Sequence, residues 1–128
     1  MRMPQSIWDE IVAHARDEVP NECCGYAWGG DGALEGVERG VNDRSSPYGF
    51  QLDSKSMLGA WKRDEEEGLA VAIYHSHPRS PAEPSQQDIN TASFPDWTYL
   101  IVSLASEPVI RAWKIADGQV EEEPIVVE

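Results

Sequence analysis

Leu69-Ala70-Val71-Ala72-Ile73-Tyr74 runs directly into His75-Ser76-His77-Pro78. The first six residues are continuously apolar, and their length and composition predict a strand covered on both faces, hence the centre of a sheet. Alternation along that strand places His75 and His77 on the same side. A lone core histidine is usually a satisfied structural residue. Two imidazoles converging at one strand end, however, are costly to bury protonated and gain little if left neutral without partners, so metal ligation is the natural resolution. Ser85-Gln86-Gln87-Asp88 then brings a carboxylate eleven positions beyond His77. His75, His77 and Asp88 make three ligands, which leaves the fourth position of a tetrahedral zinc site for water, the arrangement of catalytic rather than structural sites. Ser85-x-x-Asp88 is also a helix capping box, and helix geometry can fix the spacing while the side chains serve a metal. Between the ligands, Pro78, Pro81 and Pro84 recur every three residues, the polyproline II period, which limits the freedom of the loop. A P-x-x-P ligand for an adaptor domain is the competing reading, but a segment pinned at both ends by site residues could not easily leave to fill a groove.

Upstream, Ile7, Trp8, Ile11, Val12 and Ala15 lie at helical spacing, predicting an amphipathic helix from Pro4 to Val19 with Ser6 and Asp9 as a capping box. Glu22 to Trp28 reads as a buried strand closed by Gly29 and Gly30, and Leu34 to Val41 as a second. A metal-activated water needs a proton acceptor that is not a ligand, and no His-Glu-x-x-His helix supplies one. Glu22, in Asn21-Glu22-Cys23-Cys24-Gly25-Tyr26 at the mouth of an apolar strand, is the candidate; the competing reading is an exposed loop glutamate, one of 23 acidic residues. Asn42 to Pro47 is rich in turn residues, and a brief extended piece carries Phe50 and Leu52. Met57, Leu58 and Trp61 mark a helix reaching about Glu66, with Asp64 to Glu67 as a solvated acidic end. Downstream, a short helix is expected from Ser85, strands at Tyr99 to Leu104 and Val109 to Ile115, and an acidic edge strand from Val120 to Val127. These elements predict one α+β domain over residues 1–128 with a mixed sheet.

Composition narrows the function. Ten basic and 23 acidic residues give a net charge of −13, which would repel a phosphate backbone, so nucleic-acid binding is disfavoured. No apolar run approaches the roughly 20 residues of a membrane span, and no basic segment followed by an apolar stretch opens the chain. A soluble, cytoplasmic protein is expected. The only cysteines, Cys23 and Cys24, are sequence neighbours and offer no disulfide framework. His14, near the apolar boundary of the first helix, receives no role.

Glu22, His75-Ser76-His77-Pro78, six residues, Ser85, two residues and Asp88 together resemble the motif of the JAMM (MPN-plus) metalloprotease family, with every position filled. The resemblance extends over nearly the whole chain and implies a cytidine-deaminase-like α+β fold. It also implies that His75, His77 and Asp88 bind zinc, that Glu22 takes a proton from the zinc-bound water, and that Ser85 steadies the tetrahedral oxyanion. Within the family, the compact form looks most like bacterial enzymes acting on ubiquitin-like sulfur-carrier proteins, some of which release cysteine from a Gly-Gly C-terminus during cysteine biosynthesis. The chain has no room for the long insertions with which larger relatives hold polyubiquitin. The alternatives are a general isopeptidase removing ubiquitin-like modifiers from lysines, a cell-wall peptidase like those in phage tail proteins, and a non-catalytic MPN binding scaffold.

Overall fold

The computed structural model describes all of residues 1–128. Its elements are β1 (Arg2–Met3), α1 (Gln5–Glu18), β2 (Cys24–Gly30), β3 (Ala33–Arg39), α2 (Ser54–Glu65), β4 (Ala70–His77), α3 (Gln86–Thr91), β5 (Thr98–Ser103), β6 (Val109–Ala116), β7 (Gln119–Glu123) and β8 (Val126–Val127). All the strands join one sheet, in the order β7-β6-β5-β4-β2-β3-β1-β8. The β4–β5, β1–β3 and β1–β8 pairs are parallel and the rest antiparallel, so the expected α+β arrangement with a mixed sheet is borne out. No helix is long and apolar enough to cross a membrane.

The apolar run is central, as its composition demands: β4 lies between β2 and β5, and every residue from Val71 to His77 is buried. Its alternation divides two cores. Ala72 and Tyr74 pack with Ile7, Ile11 and Ala15 of α1 on one face. Val71 and Ile73 pack with Ala60 of α2 and Trp97, Tyr99 and Ile101 on the other. The same alternation carries into the motif and turns His75 and His77 toward the α2 side.

The structure corrects several local expectations. Ser6 and Asp9 form no capping box, because Pro4 occupies the N-cap without a side-chain hydrogen bond and Ser6 falls inside the first turn. Asp9 instead accepts a hydrogen bond from Gln5 Nε2 at 2.9 Å. Helix α2 starts at Ser54, earlier than its apolar periodicity suggests, since the Asp53 side chain caps it by accepting from Ser56 N–H. Its acidic end is not merely solvated: Asp64 accepts from the indole N–H of Trp97 at 2.9 Å. The expected Val120–Val127 strand is two strands on opposite edges, β7 beside β6 and β8 beside β1. Only Pro124 and Ile125 lie between them, and a chain spans at most about 3.6 Å per residue, so the sheet must curl until its edges approach. Pro124 lacks an N–H with which to continue either ladder.

Candidate metal centre

Strand β4 delivers two of the donors and α3 the third. His75 Nε2 and His77 Nε2 lie 3.2 Å apart. Asp88 Oδ2 lies 3.2 Å from the first and 3.1 Å from the second. Donors bound to one cation at about 2.0–2.1 Å in a tetrahedron stand about 3.3 Å apart, so this nearly equilateral triangle suits a small metal ion. The sequence expectation that these residues converge is met, and all three are buried.

Burial and mutual contact shape their charges. Burial holds the His75 imidazole below its usual pKa, against the pull of Asp88. For His77 burial acts in the same direction, but hydrogen bonds with Asp88 and the Pro81 carbonyl outweigh it and raise the value. Burial opposes ionisation of Asp88 too, yet the two imidazoles and the Ser85 N–H keep it well below the usual carboxylate range. A neutral His75 and an ionised Asp88 are the forms that ligate metals.

Each donor is held by neighbours. His77 Nδ1 donates to Pro81 O at 2.8 Å, which leaves its Nε2 lone pair for the site. The proline-rich loop is itself tied down, with Ser103 Oγ donating to Ser80 O at 2.6 Å and Trp113 Nε1 to Ala82 O at 3.0 Å. Such a loop cannot peel away as a P-x-x-P ligand. His75 is oriented by packing: the Phe50 ring stacks on it at 4.3 Å between centroids with a 16° interplanar angle. Asp88 is fixed by a complete capping box, Ser85 N–H donating to Asp88 Oδ2 at 2.9 Å and Asp88 N–H to Ser85 Oγ at 3.1 Å. Helix geometry and placement at the site therefore do share one spacing. Phe50 as a site residue was beyond the sequence reading, which had only a brief extended piece there.

Glu22 is not an exposed loop residue. Only 6% of its surface is accessible, and its Oε1 is buried without a hydrogen-bond partner. Burial pushes its pKa up to about 7; Asp88 adds to that, while His77 and Arg44 oppose it. Its backbone is clamped on both sides, Glu22 N–H donating to Ser46 O at 2.9 Å and Asn42 Nδ2 to Glu22 O at 2.9 Å. Ser76, between the two histidines, performs a task the motif reading missed. Pointing to the opposite face, its hydroxyl accepts from Cys23 N–H at 2.7 Å, and its own N–H donates to Cys23 O at 3.1 Å. The strand carrying the imidazoles is thereby bonded to the residue next to Glu22. Cys23 and Cys24 are both buried free thiols, raised in pKa by burial.

His75 and Asp88 lie at the wall of a groove of about 960 Å³ between the Asn42–Leu52 loop, α2 and α3. Its walls are largely apolar, with Phe50, Met57, Leu58, Trp61 and Phe94 among them. Leu58 and Trp61 are also about half exposed, at 51% and 46%.

Three buried side chains that could hold a metal ion, with the buried Glu22 carboxyl near them and an apolar groove alongside, fit a hydrolase of the metalloprotease type. Residues 4–116 match the family of prokaryotic homologs of the JAB domain, and the chain belongs to that family. A CysO-cysteine peptidase of Mycobacterium tuberculosis is 38% identical over 91% of this chain and 84% of its own. A Thermus thermophilus protein described as "Probable TtuB-protein conjugate cleaving protease" is 37% identical over 91% of this chain and 77% of its own. The solution structure of a Desulfitobacterium hafniense protein, 36% identical, superposes with a TM-score of 0.86 over 100% of this chain and 93% of that one.

The Ser76 hydroxyl is the side-chain acceptor for the buried Cys23 N–H, so Ser76→Ala should destabilise the fold by about 1–3 kcal/mol. Urea unfolding followed by tryptophan fluorescence measures this directly. A midpoint equal to that of the parent protein would show that the bond contributes nothing net.

Proposed function

We propose that this chain is a zinc peptidase that hydrolyses the amide bond after the C-terminal Gly-Gly of a ubiquitin-like sulfur-carrier protein, releasing cysteine. The observation that carries the reading is the triangle of Nε2, Nε2 and Oδ2 donors at 3.1–3.2 Å, with a partnerless buried carboxyl close by. The names of the mycobacterial and Thermus relatives supply the substrate class. His75, His77 and Asp88 would hold the zinc. When bound, that ion supplies Lewis-acid chemistry, lowering the pKa of a water from about 15.7 towards 7 and polarising a carbonyl.

The remaining roles belong to the chain. Glu22, poised near neutrality by burial, takes a proton from the attacking water and returns it to the departing amine nitrogen as the C–N bond breaks. Ser85 Oγ accepts from Asp88 N–H, which leaves its own hydrogen free to donate to the carbonyl oxygen as negative charge develops there. The apolar stretch of the groove along α2, with Met57, Leu58 and Trp61, receives the carrier's tail. Glycines suit its last positions because a backbone without side chains can lie close against the site. Removal of ubiquitin-like modifiers from lysines would use the same residues, and the Thermus relative's name, which speaks of protein conjugates, favours that as the second reading.

Four outcomes test this. Metal analysis should find one zinc per chain, lost in the His75→Ala/His77→Ala double variant; stoichiometry unchanged by both substitutions would sink the ligand assignment. Glu22→Gln should keep zinc and fold yet lose about 100-fold or more in hydrolysis, and Ser85→Ala should lower kcat by about 100-fold with little change in KM. If Ser85 were a helix cap alone, its removal would instead cost about 1 kcal/mol of stability with kcat nearly normal. Finally, the protein should cut CysO–cysteine after the second glycine, and replacing that glycine by valine should strongly reduce cleavage. Faster turnover of a lysine-linked conjugate, weighed by mass spectrometry, would favour the isopeptidase reading.

A further inference from the structure

Arg44 is the one lysine or arginine among the residues lining the groove that holds His75 and Asp88. The guanidinium groups of Arg39, Arg63 and Arg111 are each paired with carboxylates; Arg44, like Arg2, Arg16 and Arg79, is in no ion pair, and of these four it alone lines the groove. Even Asp43, its sequence neighbour on the same groove wall, does not pair with it. In a chain with 23 acidic and ten basic residues, an exposed arginine without a carboxylate beside the candidate site is free to meet an anionic group of a ligand.

The side chain is nonetheless held in place. With the Gln87 amide turned so that both of its ends find partners, Arg44 Nη1 donates to Gln87 Oε1 at 2.6 Å and Gln87 Nε2 donates to Tyr48 O at 2.9 Å. The Arg44 backbone N–H donates to Asn42 Oδ1 at 3.0 Å. Gly49 leaves the necessary room, because a Cβ there would collide with the guanidinium. Gln87 immediately precedes Asp88, so the cation is anchored to the first turn of α3 beside the metal donors, and its charge is felt at Glu22. One of its N–H groups is engaged by Gln87, and no other is satisfied within the protein.

This inference rests on the peptidase reading above. A single amino acid released from a carrier's C-terminus bears a free carboxylate one carbon from the nitrogen that departs. A lysine joined through its side chain presents methylene groups there instead, and its α-carboxyl is consumed in the protein chain. A guanidinium matches a carboxylate in plane and in hydrogen-bond geometry. We infer that Arg44 receives the α-carboxylate of the departing amino acid, and so makes the site selective for carriers capped by one free amino acid over carriers linked to lysine side chains.

The test compares CysO–cysteine with CysO–cysteinamide, which differ only in that carboxylate. The zinc-loaded protein should favour the acid about tenfold or more in kcat/KM. Arg44→Gln should bring the ratio close to one with zinc content unchanged, and Arg44→Lys should keep part of it. Calorimetry on the zinc-loaded Glu22→Gln protein, which binds without rapid turnover, should show the same preference in Kd. Equal kcat/KM for acid and amide in the parent protein would overturn the inference, as would a preference that survives Arg44→Gln. An equal loss on both conjugates would place Arg44 on the carrier instead and likewise overturn it. Cleavage of neither conjugate by the parent protein would bring down the peptidase reading itself.

Discussion

Three polar donor atoms held within 3.2 Å of one another inside a protein are the constraint on which the rest of the structure depends. Left to themselves, two imidazole lone pairs and a carboxylate oxygen would repel or protonate, and burial makes either choice expensive. The chain meets that demand by spending its most rigid element on it. β4 is the central strand, bonded along both edges, and the histidines occupy its last turn of alternation. A short helix with a fully formed capping box supplies the carboxylate. Packing from Phe50 and a hydrogen bond to Pro81 then set the two ring planes by different means.

The same strand explains why the acid and the donors stay in register. Glu22 precedes β2, which pairs with β4 so that Cys24 lies opposite His75. Ladder hydrogen bonds alone would fix the strands, but Glu22 lies beyond the last pair. The exchange between Ser76 and Cys23 extends the connection by one step, using the face of β4 that the histidines do not need. His-Ser-His is thus a motif with work on both faces. The outer positions serve the groove, and the middle one fastens the neighbouring segment.

Much of this was legible in the sequence because it follows from periodicity and fixed spacing. A continuous apolar run has few places to go except the middle of a sheet, and alternation then dictates that His75 and His77 share a face. Ser85 and Asp88 were equally plain, since the capping box and the metalloprotease motif share the Ser-x-x-Asp spacing. Contacts between distant segments left no such trace. The stacking of Phe50 on His75 and the anchoring of Arg44 by Gln87 join the Asn42–Leu52 loop to residues far along the chain, and that loop has no period to read. The splitting of the tail between opposite sheet edges was hidden for the same reason. Pro124 signals a break in a strand, but only the closing curl of the whole sheet determines where the chain resumes.

Charge completes the link from fold to selectivity. With a net charge of −13, the protein's field disfavours anions, and the groove's mostly apolar walls do nothing to attract them. On the proposed function, affinity for a carrier tail comes from shape and apolar contact along α2, where Leu58 and Trp61 stand partly exposed. Discrimination at the other side of the scissile bond needs a different source, because a small leaving group offers little area to bury. On the inference drawn above, the Arg44 guanidinium supplies it. At such a contact, the hydrogen-bond geometry of a guanidinium outweighs the diffuse repulsion of surface carboxylates that solvent and salt screen.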